Sequence, residues 1–215
     1  MRELSLHILD VIENGLEAGA SRIEVRIDED PDADLLSIEI TDNGTGMAKE
    51  LIEKVTDPFY TTRKTRHVGL GLPLFRDAVQ RCDGDLILQS APGRGTTVKA
   101  TFRLSHIDRA PLGDMPSALM AVLLSVHTVD VRYLHRIGDL EFEFDTAEIR
   151  EELGDVPLRH PKIRDWLLAE LREGEAGLHP FVRPRGQADA CGRESVSSGS
   201  HESEPVDEAR RQPSR

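Results

Sequence analysis

The stretch Thr41-Asp42-Asn43-Gly44-Thr45-Gly46-Met47 follows a segment, residues 35–41, in which Leu36, Ile38 and Ile40 alternate onto one face. Alternation with period two predicts a half-buried strand, so D-x-G-x-G marks the chain leaving a strand end with a carboxylate and two glycines. Such a carboxylate can accept a hydrogen bond from an exocyclic amine like that of adenine, and the glycines let backbone approach a flat ligand. Working outward, residues 21–28 alternate in the same way through Ile23, Val25 and Ile27 and form a hairpin with 35–41. Ahead of them, Leu4, Ile8, Val11, Ile12, Gly15, Leu16 and Ala18 share one arc of a helix over 3–18. Behind come a short helix at 48–55, a long loop at 56–69, a helix at 72–82, and strands at 85–90 and 96–104 joined by the turn 91–95. This order predicts an α+β two-layer sandwich, a mixed, mostly antiparallel sheet with helices on one face.

Three further features carry polar chemistry. His7, Asp10 and Asn14 fall at i, i+3 and i+7 along the edge of the first helix, while Glu13 and Glu17 turn toward water. Asn is a poor interior helix residue because its amide competes for backbone hydrogen bonds. A mid-helix Asn14 beside an acid is therefore either a solvated polar residue or a functional one. Gly69-Leu70-Gly71-Leu72 opens a helix whose free N–H groups suit phosphates, and Arg63, Lys64 and Arg66 stand just before it, as surface cations or as phosphate partners. Gly93-Arg94-Gly95-Thr96-Thr97 supplies the turn into the last of these strands.

The chain has 215 residues and a formal charge of −12, which disfavours nucleic acid and anionic membrane as partners. The charge is uneven, however: residues 1–57 carry −10, residues 58–110 carry +5 and residues 111–182 carry −7. The positive segment holds the second glycine pair, so a triphosphate is an anion the pattern accommodates. Two cysteines, Cys82 and Cys191, with no metal-ligand spacing, argue against a disulfide framework or structural zinc. With no long apolar run and no signal-peptide core, the expected location is cytoplasmic. Three regions are expected: a first domain at 1–107, a small α+β appendage with its own apolar set at 117–174, and a disordered tail at 183–215. Pro111, Gly113 and Pro116 separate the first two. In the appendage, Ser117 is expected to cap a helix at 118–124, and a hairpin turns at Gly138-Asp139. Asp145 with Glu148 resembles a capping box, and a last helix starts near Pro161 with Ile163, Trp166, Leu167 and Leu171 on one face and Gly174 past its end.

Taken together, the motifs resemble those of the GHKL ATPase domain, shared by sensor histidine kinases, gyrase-type topoisomerases, Hsp90 chaperones and mismatch-repair ATPases. HILDVIENGLEAGASRIEV (7–25) is similar to the N box and TDNGTGM (41–47) to the first glycine box. DPFYTTR (57–63) is similar to the F box, VGLGL (68–72) to the second glycine box, and GRGTTV (93–98) to the closing G-T element. No P-loop is present, and the second glycine box lacks the third glycine of a dinucleotide fingerprint.

The resemblance implies ATP and Mg²⁺ as cofactors. It places Asn14 on Mg²⁺ and Asp42 on the adenine amine, with Gly44, Gly46 and Met47 against the ring. Gly69, Leu70 and Gly71 then belong to a lid, Arg63 and Lys64 offset phosphate charge, and Ala18 and Thr96 complete the ATP-binding set. Phe59 and Tyr60 pack the lid. Asp10 holds the position, four residues before the metal Asn, where hydrolytic members generally place a Glu base; it is the candidate general base, one methylene shorter. Histidine kinases bring their acceptor His on a dimerising helix pair, for which the sequence leaves no room before residue 3, and His7 is not read as that acceptor. Dimerisation is nonetheless common among relatives. The implied activity is phosphotransfer to a protein partner, the alternatives being a slow ATPase or a nucleotide-gated adaptor. The opening 1–21 and the stretch FDTAEIREELGDVPL (144–158) resemble stand-alone bacterial ATP-binding proteins met beside iron-only hydrogenase components.

Overall fold

Every alternating segment of the sequence places its apolar residues on the same side of one sheet. The computed structural model describes residues 2–55, 71–125, 128–154 and 156–179. In chain order the elements are α1 (Leu4–Glu17), β1 (Arg22–Asp30), β2 (Leu35–Asp42), α2 (Lys49–Val55), α3 (Gly71–Gln80), β3 (Leu86–Ala91), β4 (Gly95–Arg103), α4 (Met115–Leu123), β5 (Asp130–Ile137), β6 (Leu140–Asp145), α5 (Thr146–Leu153) and α6 (Pro161–Leu178). The six strands form one mixed sheet in the order β3-β4-β2-β1-β5-β6. Four pairings are antiparallel and β1–β5 is parallel.

Because side chains alternate across a strand, residues in register share a face. One such row runs Leu88–Val98–Ile40–Val25–Tyr133–Phe144, and the next runs Leu86–Ala100–Ile38–Ile27–His135–Phe142. Ile23, Val25, Ile27, Leu36 and Ile38 are wholly buried beneath the helices. Burying each such side chain contributes roughly 1.5–3 kcal/mol. The opposite face carries charged pairs, among them Arg22–Glu24 at 3.1 Å, Arg26–Asp28 at 2.7 Å and Arg132–Glu143 at 2.7 Å. At the exposure these pairs have, they set solubility and register more than stability.

Residues beyond the seam extend the first domain instead of forming a separate body. β5 lies directly against β1, and Met115, Leu119, Val131, Tyr133, Leu167 and Leu171 belong to the same core as α1. All described residues fall in one compact unit. The seam itself is used by α1: its first N–H groups need partners, Glu3 provides no side-chain cap, and the carbonyls of Pro111 and Leu112 accept from Leu4 N at 3.0 Å and Ser5 N at 2.7 Å.

Local signals in this extension need three corrections. Asp114, not Ser117, caps α4, accepting from Ser117 N at 2.9 Å. Helix α6 does not stop before Gly174 but runs through it to Leu178; the glycine serves packing and not termination, since a side chain there would collide with the Phe142 ring. Trp166, expected on the apolar face of α6, is 45% exposed, and Leu167 and Leu171 make the contact. Asp145 does cap α5, accepting from Ala147 N at 2.9 Å.

Helix α6 is also held to the sheet by a buried polar cluster. Tyr133 Oη donates to Glu175 Oε1 at 2.6 Å, His135 Nδ1 lies 3.0 Å from the same oxygen, and His135 Nε2 faces Glu29 Oε1 at 3.5 Å. Burial alone would lower the His135 pKa, but the flanking Glu175 and Glu29 outweigh it and raise it to about 9. The imidazole therefore stays charged at neutral pH, between two carboxylates.

Candidate functional site

At the end of the sheet where β2 and β4 meet α1, the inner face changes from apolar to polar. The register continues the rows of apolar residues into Ser90–Thr96–Asp42–Ile23. Asp42 sits at the end of β2 with its carboxylate against Gly15 of α1: a Cβ on Gly15 would lie 3.0 Å from Asp42 Cβ and 3.3 Å from Oδ2. Asp42 Oδ1 accepts from Gly44 N at 2.8 Å, closing a tight local turn. The neighbouring Asn43 points elsewhere. Its Oδ1 accepts from Ser21 N and Arg22 N, both at 2.9 Å, and pins the start of β1 to the glycine loop.

The glycines of the D-x-G-x-G loop are required by the protein's own packing. A Cβ on Gly44 would lie 2.9 Å from the Ala18 Cβ and carbonyl oxygen, and Ala18 O accepts from Thr45 N at 3.0 Å. Gly46 has φ +65°, and a Cβ there would meet Ala91 O at 2.0 Å; Gly95 has φ +80°, and one there would meet Asp42 O at 1.9 Å. Both conformation and space therefore demand glycine at these two positions. The first glycine box and the closing G-T element are thus one unit, two loops locked backbone to backbone, with Gly93 N donating to Thr45 O at 2.7 Å.

On the other side, α1 presents Asp10 one turn before Asn14. A Cβ on Gly71, at the start of α3, would lie 3.1 Å from both Asp10 Cβ and Oδ2, so the Asp10 carboxylate abuts the first turn of α3. Asn14 is exposed and lies between that contact and the Gly15–Asp42 contact along the same helix. The structure thus gathers Asp10, Asn14, Ala18, Asp42, Gly44, Gly46, Met47, Gly71 and Thr96 around one end of the sheet. Arg63, Lys64, Gly69 and Leu70, with Arg66, Phe59, Tyr60 and His67, lie outside the described residues.

Two residues carry more than the sequence suggested. His7 is 3% exposed and stacks on Phe75 at 5.1 Å, and burial lowers its pKa to about 4, so it is a neutral core residue. Ser90 is a hub: its Oγ accepts from Met47 N at 2.8 Å, donates to Gly95 O at 2.8 Å and lies 3.0 Å from Thr96 Oγ1. Its signal in the sequence is a hydroxyl in phase with the partly buried, inward-facing Leu86 and Leu88 of the same strand.

Residues 2–106 match the family described as Histidine kinase-, DNA gyrase B-, and HSP90-like ATPase. The chain is similar to the non-motile and phage-resistance protein of Caulobacter vibrioides, 32% identical over 120 residues, covering 52% of this chain and 14% of that protein. It is also similar to the sensor histidine kinase WalK of Bacillus subtilis, 36% identical over 107 residues, covering 46% of this chain and 17% of that protein. The mycobacterial sensor histidine kinase MprB overlays with a TM-score of 0.36 at 26% identity, covering 45% of this chain and 66% of that one. The chain therefore spans less than a fifth of the length of these two curated relatives. Among the described residues no helix is long and apolar enough to cross a membrane. From the stretch resembling the N box on α1 through β4, residues 2–106 are thus similar to the histidine kinase-, DNA gyrase B- and HSP90-like ATPase family.

Proposed function

We propose that this domain binds Mg-ATP and that the chain transfers the γ-phosphoryl group to a His, Ser or Thr of a protein partner. The observation that supports it is a division of labour along α1. Asp10 abuts the helix start where phosphates would sit, Gly15 and Ala18 abut the Asp42–Gly44 turn where a base would sit, and Asn14 lies between. Asp42 would accept from the adenine amine, Gly44, Gly46 and Met47 would flank the ring, and Thr96 would stand beside Asp42 on the neighbouring strand. Arg63, Lys64, Gly69 and Leu70 would close over the phosphates.

Among the described residues, no group of three or more His, Cys, Asp or Glu could hold a metal unaided. The amide of Asn14 could instead supply one oxygen ligand to a Mg²⁺ that would take its others from water and phosphates. When bound, that ion supplies charge neutralisation at the phosphates. Transfer breaks the bond from the γ-phosphorus to the β-phosphate oxygen, forms one to the acceptor N or O, releases ADP, and passes the acceptor's proton to Asp10 or water. A second reading, slow hydrolysis, is favoured by the position of Asp10 itself, where a base would reach an attacking water within ~2.6–3.2 Å or through a second water.

The expected partner is a cytoplasmic protein, an iron-only hydrogenase component being the first candidate from the resemblance of 1–21 and 144–158, and not nucleic acid or membrane. The test is γ-labelled ATP with the full chain and such components. Label on a protein supports transfer, and released phosphate supports hydrolysis. Neither outcome, with ATP bound, refutes both and leaves a nucleotide-gated adaptor. In the control Asp42→Asn, ATP binding should be lost; unchanged affinity by calorimetry would refute the adenine assignment.

A further inference from the structure

The hydroxyl of Ser90 has one proton and two lone pairs, and all three are used. Its proton goes to the Gly95 carbonyl at 2.8 Å, since a carbonyl oxygen can only accept. One lone pair takes the Met47 N–H at 2.8 Å. The second faces Thr96 Oγ1 at 3.0 Å, so Thr96 must be the donor in that contact. The single proton of Thr96 is therefore turned toward Ser90, and toward a ligand the Thr96 oxygen offers lone pairs alone. Asp42, its cross-strand partner on the same face, is an acceptor as well. Among the described residues, the cross-strand pair Asp42–Thr96 at the base end thus shows two adjacent acceptors, with the Thr96 proton turned away.

We infer that Ser90 is a specificity-determining positioning residue: by fixing the direction of the Thr96 hydroxyl, it makes the site select a 6-amino purine over a 6-oxo purine. A 6-amino group donates to both acceptors. A 6-oxo group turns its own lone pairs on them and leaves buried polar atoms unmatched, which is the situation that gives a binding site its strongest discrimination. The inference rests on the assignment of the base to the Asp42 end of the site. Ser90 does not touch the nucleotide; it acts through Thr96 and through the Met47 amide.

The experiment measures the dissociation constants of ATP and inosine triphosphate, which differ in the 6-substituent, for the full chain and for Ser90→Ala and Ser90→Thr. Ser90→Ala frees the Thr96 proton to rotate toward the ligand, so the preference for ATP over inosine triphosphate should fall at least fivefold. Ser90→Thr, which keeps the hydroxyl, should retain the wild-type preference. Mere loosening of the Met47 loop would weaken both nucleotides together and leave the ratio unmoved. An unchanged ratio in a folded Ser90→Ala that still binds ATP overturns the inference while leaving the ATP assignment intact. Failure of the wild-type chain to bind ATP overturns both. Should Ser90→Ala not fold, Thr96→Val reads the same ratio by deleting the acceptor, and an unchanged ratio there is equally fatal.

Discussion

Gly15→Ala separates the fold from the site, because stability should stay nearly constant while nucleotide affinity falls. Gly15 lies within α1, where Ala is favoured over Gly by about 1 kcal/mol. Its new Cβ would stand 3.0 Å from Asp42 Cβ and 3.3 Å from Asp42 Cγ and Oδ2, closer than comfortable van der Waals contact, so the Asp42 side chain must yield. Helix propensity and local crowding then roughly cancel, and the unfolding free energy should change by no more than about 1 kcal/mol. Nucleotide affinity should not be spared. A hydrogen bond to a charged carboxylate contributes about 1.5–3 kcal/mol, and losing half of the upper value corresponds to about a tenfold rise in Kd. Urea unfolding and calorimetric titration with ATP on the same preparation give both numbers. A folded Gly15→Ala protein with wild-type ATP affinity would show that the Asp42 carboxylate does not contact the ligand and would remove the basis for the base-binding end.

Asn14→Ala should leave ATP binding measurable but insensitive to added Mg²⁺; a normal Mg²⁺ response would mean that the metal is held elsewhere. If hydrolysis occurs with Asp10 as base, Asp10→Asn should lower kcat by about 10²–10⁴ with little change in affinity. An unaltered rate would rule Asp10 out as the base. The His135 cluster predicts a pH dependence of stability. With a folded pKa of about 9 against 6.5 for an ordinary imidazole, its contribution of about 3 kcal/mol is fully present below pH 6.5 and disappears as pH rises through 9. Wild-type unfolding free energy should fall over that window, and His135→Gln should flatten the fall; an equal slope in the variant would place the titration on other groups.

The local parts of this protein were legible because their causes are local. Alternation in 21–28 and 35–41 and the helical arc from Leu4 to Ala18 predict β1, β2 and α1 to within two residues, since each periodicity states which face must leave water. The D-x-G-x-G and G-x-G-T sequences were legible as special backbone, but for an incomplete reason. A ligand was expected to need those glycines, whereas Gly46 and Gly95 are required by the carbonyls of Ala91 and Asp42. Contacts of that kind join residues about fifty positions apart, and no window of sequence contains both partners.

The same reasoning explains the appendage. Its hairpin, capping residue Asp145 and amphipathic helix were all visible, yet nothing in residues 117–174 states that β5 will lie parallel to β1, because parallel pairing is fixed by which buried faces meet and not by a turn. Ser90 is the sharpest case. As a letter it is one hydroxyl at an inward position; only the fold brings Met47 N, Gly95 O and Thr96 Oγ1 within 3.0 Å of it and thereby decides which way a neighbouring proton points. What the chain alone determined was the kind of each element and the residue types able to meet a nucleotide. The tertiary structure decided which of them share a face, which glycines serve packing, and which hydroxyls have protons left to offer, since those are properties of atoms brought together from distant parts of the chain.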